Sequence, residues 1–315
     1  MDQSLVRRLR AVAQECEENS VPEPSLKAEL SGYSGRKLIR CLLETSRILC
    51  SQDRIYLELG VFQGLTLISS AIANRDVPCF GIDNFSLFNE GRKNLSIVES
   101  RIAATNAANA KIINLDYEDA LRNLDRYIGD RKVGVFFVDG PHDYRSQLLP
   151  ILLAKPHLAE NCAIFVDDSN YAHVRQANSD FLRTNPEFAM LFEAYTPAHI
   201  ANMGPADKEE VIAGWWNGLN VMVRDPDGLI PRTFPREDAK HLHVESHEVF
   251  RHEFAELACP ALMAAQAALD APEEAAAQAA ARLKSAMMEH RRKYPGRFRH
   301  QNTYSNGLPA FRLHV

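Results

Sequence analysis

Five side chains in this 315-residue sequence are of types that do chemistry when brought together: Asp139, His142, Asp167, Asp168 and His173. Asp139 ends the run Val133-Gly134-Val135-Phe136-Phe137-Val138, and Asp167-Asp168 end Ala163-Ile164-Phe165-Val166. The first run is apolar on both faces, as a central parallel strand must be. If the two strands are neighbours, three carboxylates converge at their carboxyl ends. Like charges at that range repel, and a cation among them relieves the repulsion. Oxygen-only ligands suit a hard ion such as Mg²⁺, with water or substrate in the remaining octahedral positions. The plainer alternative is that Asp167 and Asp168 cap the helix starting near residue 171. That accounts for one of them, not for the pair with Asp139. His142 follows Asp139 by three residues and titrates near neutral pH, which suits a general base. His173 is a second candidate for base or substrate contact, with a helix-surface histidine as the alternative.

A second set of residues lies upstream. In Arg54-Ile55-Tyr56-Leu57-Glu58-Leu59-Gly60-Val61-Phe62-Gln63-Gly64-Leu65-Thr66, a short β-rich run ends in a carboxylate. Two glycines follow, and then a helical pattern begins. The spacing E-x-G-x-x-x-G differs from the G-x-G-x-x-G of dinucleotide folds. Absent side chains at Gly60 and Gly64 are expected to leave room for a ligand, and Glu58 to put negative charge in its crevice. Asp83, Asp116 and Asp139 end the next three strands. An acid in the Asp83 position can accept ribose hydroxyls, and Tyr117 can pack on an adenine ring. Any one of these acids could simply cap the following helix. Four in register with the glycine motif point to a nucleoside-binding crevice.

The glycine motif resembles the first motif of class I S-adenosylmethionine (SAM)-dependent methyltransferases. Together with Asp83, Asp139 and Asp167-Asp168 it resembles the metal-dependent small-molecule O-methyltransferases of the catechol and macrocin types, over about residues 54–224. The resemblance implies a SAM site lined by Glu58, Gly60, Gly64, Thr66, Asp83, Asp116, Tyr117 and Asp139. It implies metal ligands at Asp139, Asp167 and Asp168. The third ligand is often Asn in the catechol type and is Asp here. The base of the catechol type is a Lys at the position that holds His142. The reaction implied is transfer of a sulfonium methyl to a hydroxyl of a small polar molecule. The alternatives are an enzyme of another class on the same fold, of the oxidoreductase or hydroxylase kind, and a non-catalytic SAM-binding scaffold. The missing G-x-G-x-x-G argues against NAD, and the Asp triad argues against the scaffold.

Composition narrows the field. The net charge of −5 argues against a general nucleic-acid binder. Six cysteines without a C-x-x-C pair fit a reducing compartment, with Cys79 and Cys162 as small buried hydrophobes in strands. No apolar run has the length of a membrane span, and the first residues lack a signal-peptide core. A soluble cytoplasmic protein without membrane or nucleic-acid partners is expected.

Elements that could position these residues follow from periodicity. Residues 1–50 read as a helical extension, 51–225 as the catalytic domain, and 226–315 as a linker, Ala-rich helices near 247–269 and 272–290, and a solvated basic tail. Strand and helix patterns alternate from residue 54. They imply an α/β, doubly wound, mostly parallel seven-stranded Rossmann-like sheet with an antiparallel last strand. Trp215, Trp216 and Asn217 precede that strand and are candidates for an acceptor-pocket wall, with core packing as the alternative. His241, His243, His247 and His252 form a loose cluster read as polar surface. The Ala-rich helices suggest a homo-oligomer contact or a cover over the crevice.

Overall fold

A computed structural model describes residues 1–19, 30–197, 203–237, 257–293 and 307–315. The strands are β1 (Arg54–Leu59), β2 (Cys79–Ile82), β3 (Ala110–Ile113), β4 (Lys132–Val138), β5 (Leu158–Val166), β6 (Phe188–Ala194), β7 (Leu219–Arg224) and β8 (Phe311–Leu313). They form one sheet in the order β3-β2-β1-β4-β5-β7-β6-β8. The first five strands run parallel. β7 is antiparallel to β5 and β6, and β8 is antiparallel to β6. This is a Rossmann-like α/β sheet with helical extensions. The strand order reverses between β1 and β4, the switch point where open α/β sheets bind ligands.

Helices cover both faces. α1 (Gln3–Glu18), α2 (Arg36–Leu49), α3 (Leu65–Ala73) and α4 (Asn94–Thr105) lie on one side. α5 (Tyr117–Arg122), α6 (Asp125–Ile128), α7 (Tyr144–Ala154) and α8 (Ala172–Thr184) lie on the other. The amphipathic stripes of the N-terminal helices explain their place. Val6, Leu9, Leu38 and Leu42 enter the same core as Val135 and Phe137 of β4. The N-terminal helices therefore belong to one layer of the sandwich. Covered on both faces, β4 is buried from Val133 to Val138.

Register then positions the chemistry. Val138 pairs with Val166, so Asp139 and Asp167 leave neighbouring strands side by side. Leu59 pairs with both Ile82 and Val138, which brings the glycine motif against Asp83 and Asp139.

Several expectations need correction. Among the described residues the sheet has eight strands, not seven, because the end of the tail adds β8 to the β6 edge. Three residues are too few to give a period. The alternating pattern does not mark the break between α5 and α6 at Asn123, whose backbone leaves the helical region (φ −119°, ψ 24°). A helix that the sequence did not mark, α9 (Pro205–Ala213), fills part of the segment before β7. The C-terminal pair is described as α10 (Ala258–Asp270) and α11 (Glu273–Lys293). The His241, His243, His247 and His252 cluster lies outside the described residues, as do Tyr294, Arg297, Phe298 and Arg299 of the basic tail. Among the described residues no helix is long and apolar enough to cross a membrane.

Candidate active site

A cavity of about 420 Å³ opens at the carboxyl ends of β1, β2, β3 and β4. Its floor is the motif loop Gly60-Val61-Phe62. Asp83, Asp116 and Tyr117 line one part, and Asp139, His142, Asp168 and Tyr171 line another.

The two motif glycines serve the protein itself more than a ligand. A Cβ on Gly60 would sit 1.9 Å from the carbonyl oxygen of Asp139, and the backbone there is left-handed (φ +90°). The bare Cα lets β1 turn directly beside β4. Gly64 (φ +83°) precedes α3, and a Cβ there would meet Ile68 at 2.8 Å; Gly64 does not line the cavity. Gly60→Ala is therefore expected to destabilise the fold by about 2–4 kcal/mol, read as a lowered urea midpoint at unchanged slope.

Glu58 also departs from its expected place. It is fully buried beneath the loop, accepting from Tyr56 Oη at 2.5 Å and Thr66 Oγ1 at 2.8 Å, and it does not line the cavity. β1 is covered on both faces, so its inward carboxylate meets side chains and not solvent. Burial pushes Glu58 up to about 8 against the pull of those two hydroxyls. A raised acid favours the protonated folded state. Its contribution to stability is full below the ordinary Glu range near pH 4.5 and is lost as pH rises through about 8. Glu58→Gln should flatten the stability profile across that window, measurable by denaturant melts at several pH values. A parent profile already flat there would contradict this role for Glu58.

Asp83 stays in the cavity wall and holds the loop as well. Its Oδ2 accepts from the backbone N–H groups of Val61 and Phe62 at 2.9 Å each, and its Oδ1 from Phe85 N–H at 2.6 Å. A carboxylate has about four acceptor sites, so capacity for a ribose hydroxyl remains. Asp116 caps α5 through Glu118 N–H at 2.9 Å and lines the cavity too. The capping and lining roles coexist in one residue.

At the other end, Asp139, His142 and Asp168 each offer a ligand atom, and all three atoms lie within 4.8 Å of one another. His142 Nε2 is 2.6 Å from Asp168 Oδ2 and 3.9 Å from Asp139 Oδ1. The His142 ring stacks on Tyr171 with centroids 5.1 Å apart. Asp168 adopts a left-handed backbone (φ 54°), which is strained for a side-chain-bearing residue and common at functional sites. Asn217 Nδ2 donates to Asp168 Oδ1 at 2.5 Å and fixes its direction. Asp167 sits outside this trio. Its Oδ1 accepts from Asp168 N–H, and its buried Oδ2 has no hydrogen-bond partner.

The electrostatics follow from crowding. Burial first, then the charge of Asp168, pushes Asp139 up to about 7, although His142 pulls it down. Burial and the charges of Asp139 and Asp168 hold Asp167 well above the carboxylate range. Burial lowers His142, but the Asp168 and Asp139 carboxylates outweigh it and carry the imidazole up to about 9.

His173 is not a surface residue: it is 2% exposed inside α8 and does not line the cavity. The two tryptophans divide. Trp216 (φ 56°) lines the cavity, whereas Trp215 is core, donating to Glu17 Oε2 at 2.7 Å and stacking on Phe311. The sequence reading missed Tyr33. It comes from the loop before α2 and stacks on Phe62 at 5.2 Å, with Trp216 at 6.1 Å, on the cavity wall. A lone aromatic in an aperiodic loop gives no signal beyond its type.

Three solved structures illustrate what the chain is similar to. An O-methyltransferase from Bacillus cereus in complex with SAH is 12% identical, with a TM-score of 0.47, over 71% of this chain and 92% of that one. The O-methyltransferase TomG from Streptomyces achromogenes, in complex with SAM and involved in tomaymycin synthesis, is 16% identical with a TM-score of 0.46, over 71% and 91%. A putative caffeoyl-CoA O-methyltransferase from Staphylococcus aureus is 14% identical with a TM-score of 0.44, over 69% and 91%. No curated protein sequence matches the chain. A family described as "Methyltransferase domain" matches residues 57–169, from β1 through the acidic pair. The strand-end acids and the glycine turn fall within that match.

Proposed function

We propose that the chain is a SAM-dependent O-methyltransferase that acts on a hydroxyl of a small polar molecule with the help of a divalent cation. One observation carries this reading. A single cavity joins a nucleoside-type wall (Asp83, Asp116, Tyr117) to the Asp139–His142–Asp168 cluster.

The cluster fits a divalent cation on its own evidence. Two carboxylates and an imidazole converge, and a third buried carboxylate, Asp167, keeps an oxygen without a hydrogen-bond partner beside them. Groups held that far above their ordinary range gain from a positive charge among them. Asp139 and Asp168 would hold the ion, with Asp167 behind them. When bound, SAM supplies an electrophilic methyl group, and the cation lowers the pKa of a neighbouring hydroxyl.

The chain's own residues do the rest. Asp83 and the motif loop orient the nucleoside, and Tyr117 offers a flat face to a base. Tyr33, Phe62 and Trp216 form an aromatic wall against which donor and acceptor can be held at attack distance. His142 takes the acceptor's proton on Nε2. Its titration falls back toward neutrality once Asp139 and Asp168 are engaged elsewhere, because those carboxylates are what raise it. Among the described residues, no Lys or Arg lines the cavity to pair with a phosphate, which suits an acceptor without one.

Asp83→Ala is expected to weaken SAM binding by about 1–3 kcal/mol, the scale of a lost hydrogen bond at a buried polar group. Calorimetric titration checks it. Parent-like affinity in that variant would remove Asp83 from the ribose role.

A further inference from the structure

The α10–α11 hairpin lies outside the sheet's two helical layers, and its outer faces are uncovered. Leu262 is 71% exposed, Leu269 82% and Met288 64%. At about 100° per residue, the residues of α11 sort onto two faces. Ala276, Ala279, Leu283, Ala286 and His290 are the more covered ones and form the side turned to α10. The opposite side carries the exposed stripe Ala277, Ala281, Ser285 and Met288, with Lys284 at its edge. Glu273 and Glu274 flank that stripe at its start, and Arg291 and Arg292 flank it at its end.

This face is complementary to itself. Lay a second copy across it antiparallel, with the two-fold axis between Arg282 and Leu283. Glu273 and Arg291 share one flank of the stripe and Glu274 and Arg292 the other, so Glu273 then falls near Arg291 of the other copy, and Glu274 near Arg292. In the same register Met288 falls opposite Ala277, a long apolar side chain against a small one. Lys284, at the edge beside the axis, comes near its own symmetry mate, the like-charge contact of this register. One shift pairs the charges at both ends of the helix and packs the stripe between them, and by two-fold symmetry each of these contacts occurs twice. We propose that this outer face of α11 is a homodimer contact, with a second copy of the chain as its occupant. The proposal is independent of the catalytic reading.

Acid at the start and base at the end of a helix also suit its own dipole. The test must therefore separate self-association from helix stability. One helix face per copy is small beside the roughly 800 Å² per partner of a standard interface, so the dimer should dissociate on dilution. Sedimentation velocity across about 1–100 µM should show the parent passing from monomer to dimer. The all-acidic variant R291E/R292E and the all-basic variant E273R/E274R should each be monomeric, at least about tenfold weaker in association, given four exposed pairs reversed per dimer. Mixing the two variants restores every pair, so a one-to-one heterodimer should form at parent-like concentrations. Helix weakening cannot be repaired by mixing. Met288→Glu should also abolish the dimer, while Leu269→Glu on α10 should not. A parent that is monomeric throughout would overturn the proposal. So would a dimer indifferent to the α11 charges, variants that fail to complement, or loss of the dimer in Leu269→Glu alone.

Discussion

Replacing Asp168 with alanine is expected to lower methyl-transfer turnover by about 10³-fold or more. That is the rate equivalent of the several kcal/mol that a bound cation contributes to charge stabilisation. Asp168 is where three constraints meet. It faces His142 at 2.6 Å, is held by Asn217 at 2.5 Å, and is kept in a left-handed backbone conformation. Exhaustive chelation with EDTA should reproduce the loss in the parent, and Mg²⁺ should reverse it. Asn217→Ala should cost less, because it frees the carboxylate's direction without removing the charge. SAM affinity should change little in Asp168→Ala, since the nucleoside wall is intact. Full turnover after chelation would return Asp168 to a structural role in the turn before α8.

His142→Ala is expected to lower turnover by about 10²–10⁴-fold and leave SAM binding nearly unchanged. The parent pH–rate profile should rise on its acidic limb as His142 loses its proton, and the variant should lack that limb. Tyr171 stacks on the ring and fixes the plane of the imidazole for proton transfer. A variant with parent-like turnover and the same pH profile would mean that ionisation of the acceptor needs no protein base. His173 offers no ready substitute, because it does not line the cavity.

The strands that build the site could be read from the sequence because central parallel strands are apolar throughout. Val133–Val138 and Cys79–Ile82 leave little ambiguity, and the acids that end them fall where the register sends them. What the sequence could not supply was direction. In β1 every residue from Ile55 to Leu59 is buried, so alternation does not say which way Glu58 points; it points down, to Tyr56 and Thr66. The glycine spacing was plain, yet its reason lay in β4, whose Asp139 carbonyl occupies the space of a Gly60 side chain. Asp167 and Asp168 look alike in sequence. The left-handed backbone at Asp168 turns one toward the cavity and leaves the other behind it. α8 misled for a different reason. A histidine on a polar helix leaves substrate contact and surface both open, but here the helix face is interior: Arg175 is fully buried, donating to the carbonyls of Ser169, Asn170 and Arg236. Backbone acceptors from two segments make a polar helix face an interior one, and His173 is carried inside with it. The aromatic wall of Tyr33, Phe62 and Trp216 joins three distant loops, and only the closed fold brings them together.

Whether this cavity binds SAM decides the functional reading, and calorimetric titration answers it. SAM and NAD are titrated separately into the parent chain and into Asp83→Ala. Saturable one-to-one binding of SAM to the parent is expected, with weaker binding to the variant and no binding of NAD to either. Absence of SAM binding to the parent, or binding of NAD in its place, would show that the cavity is not a SAM site.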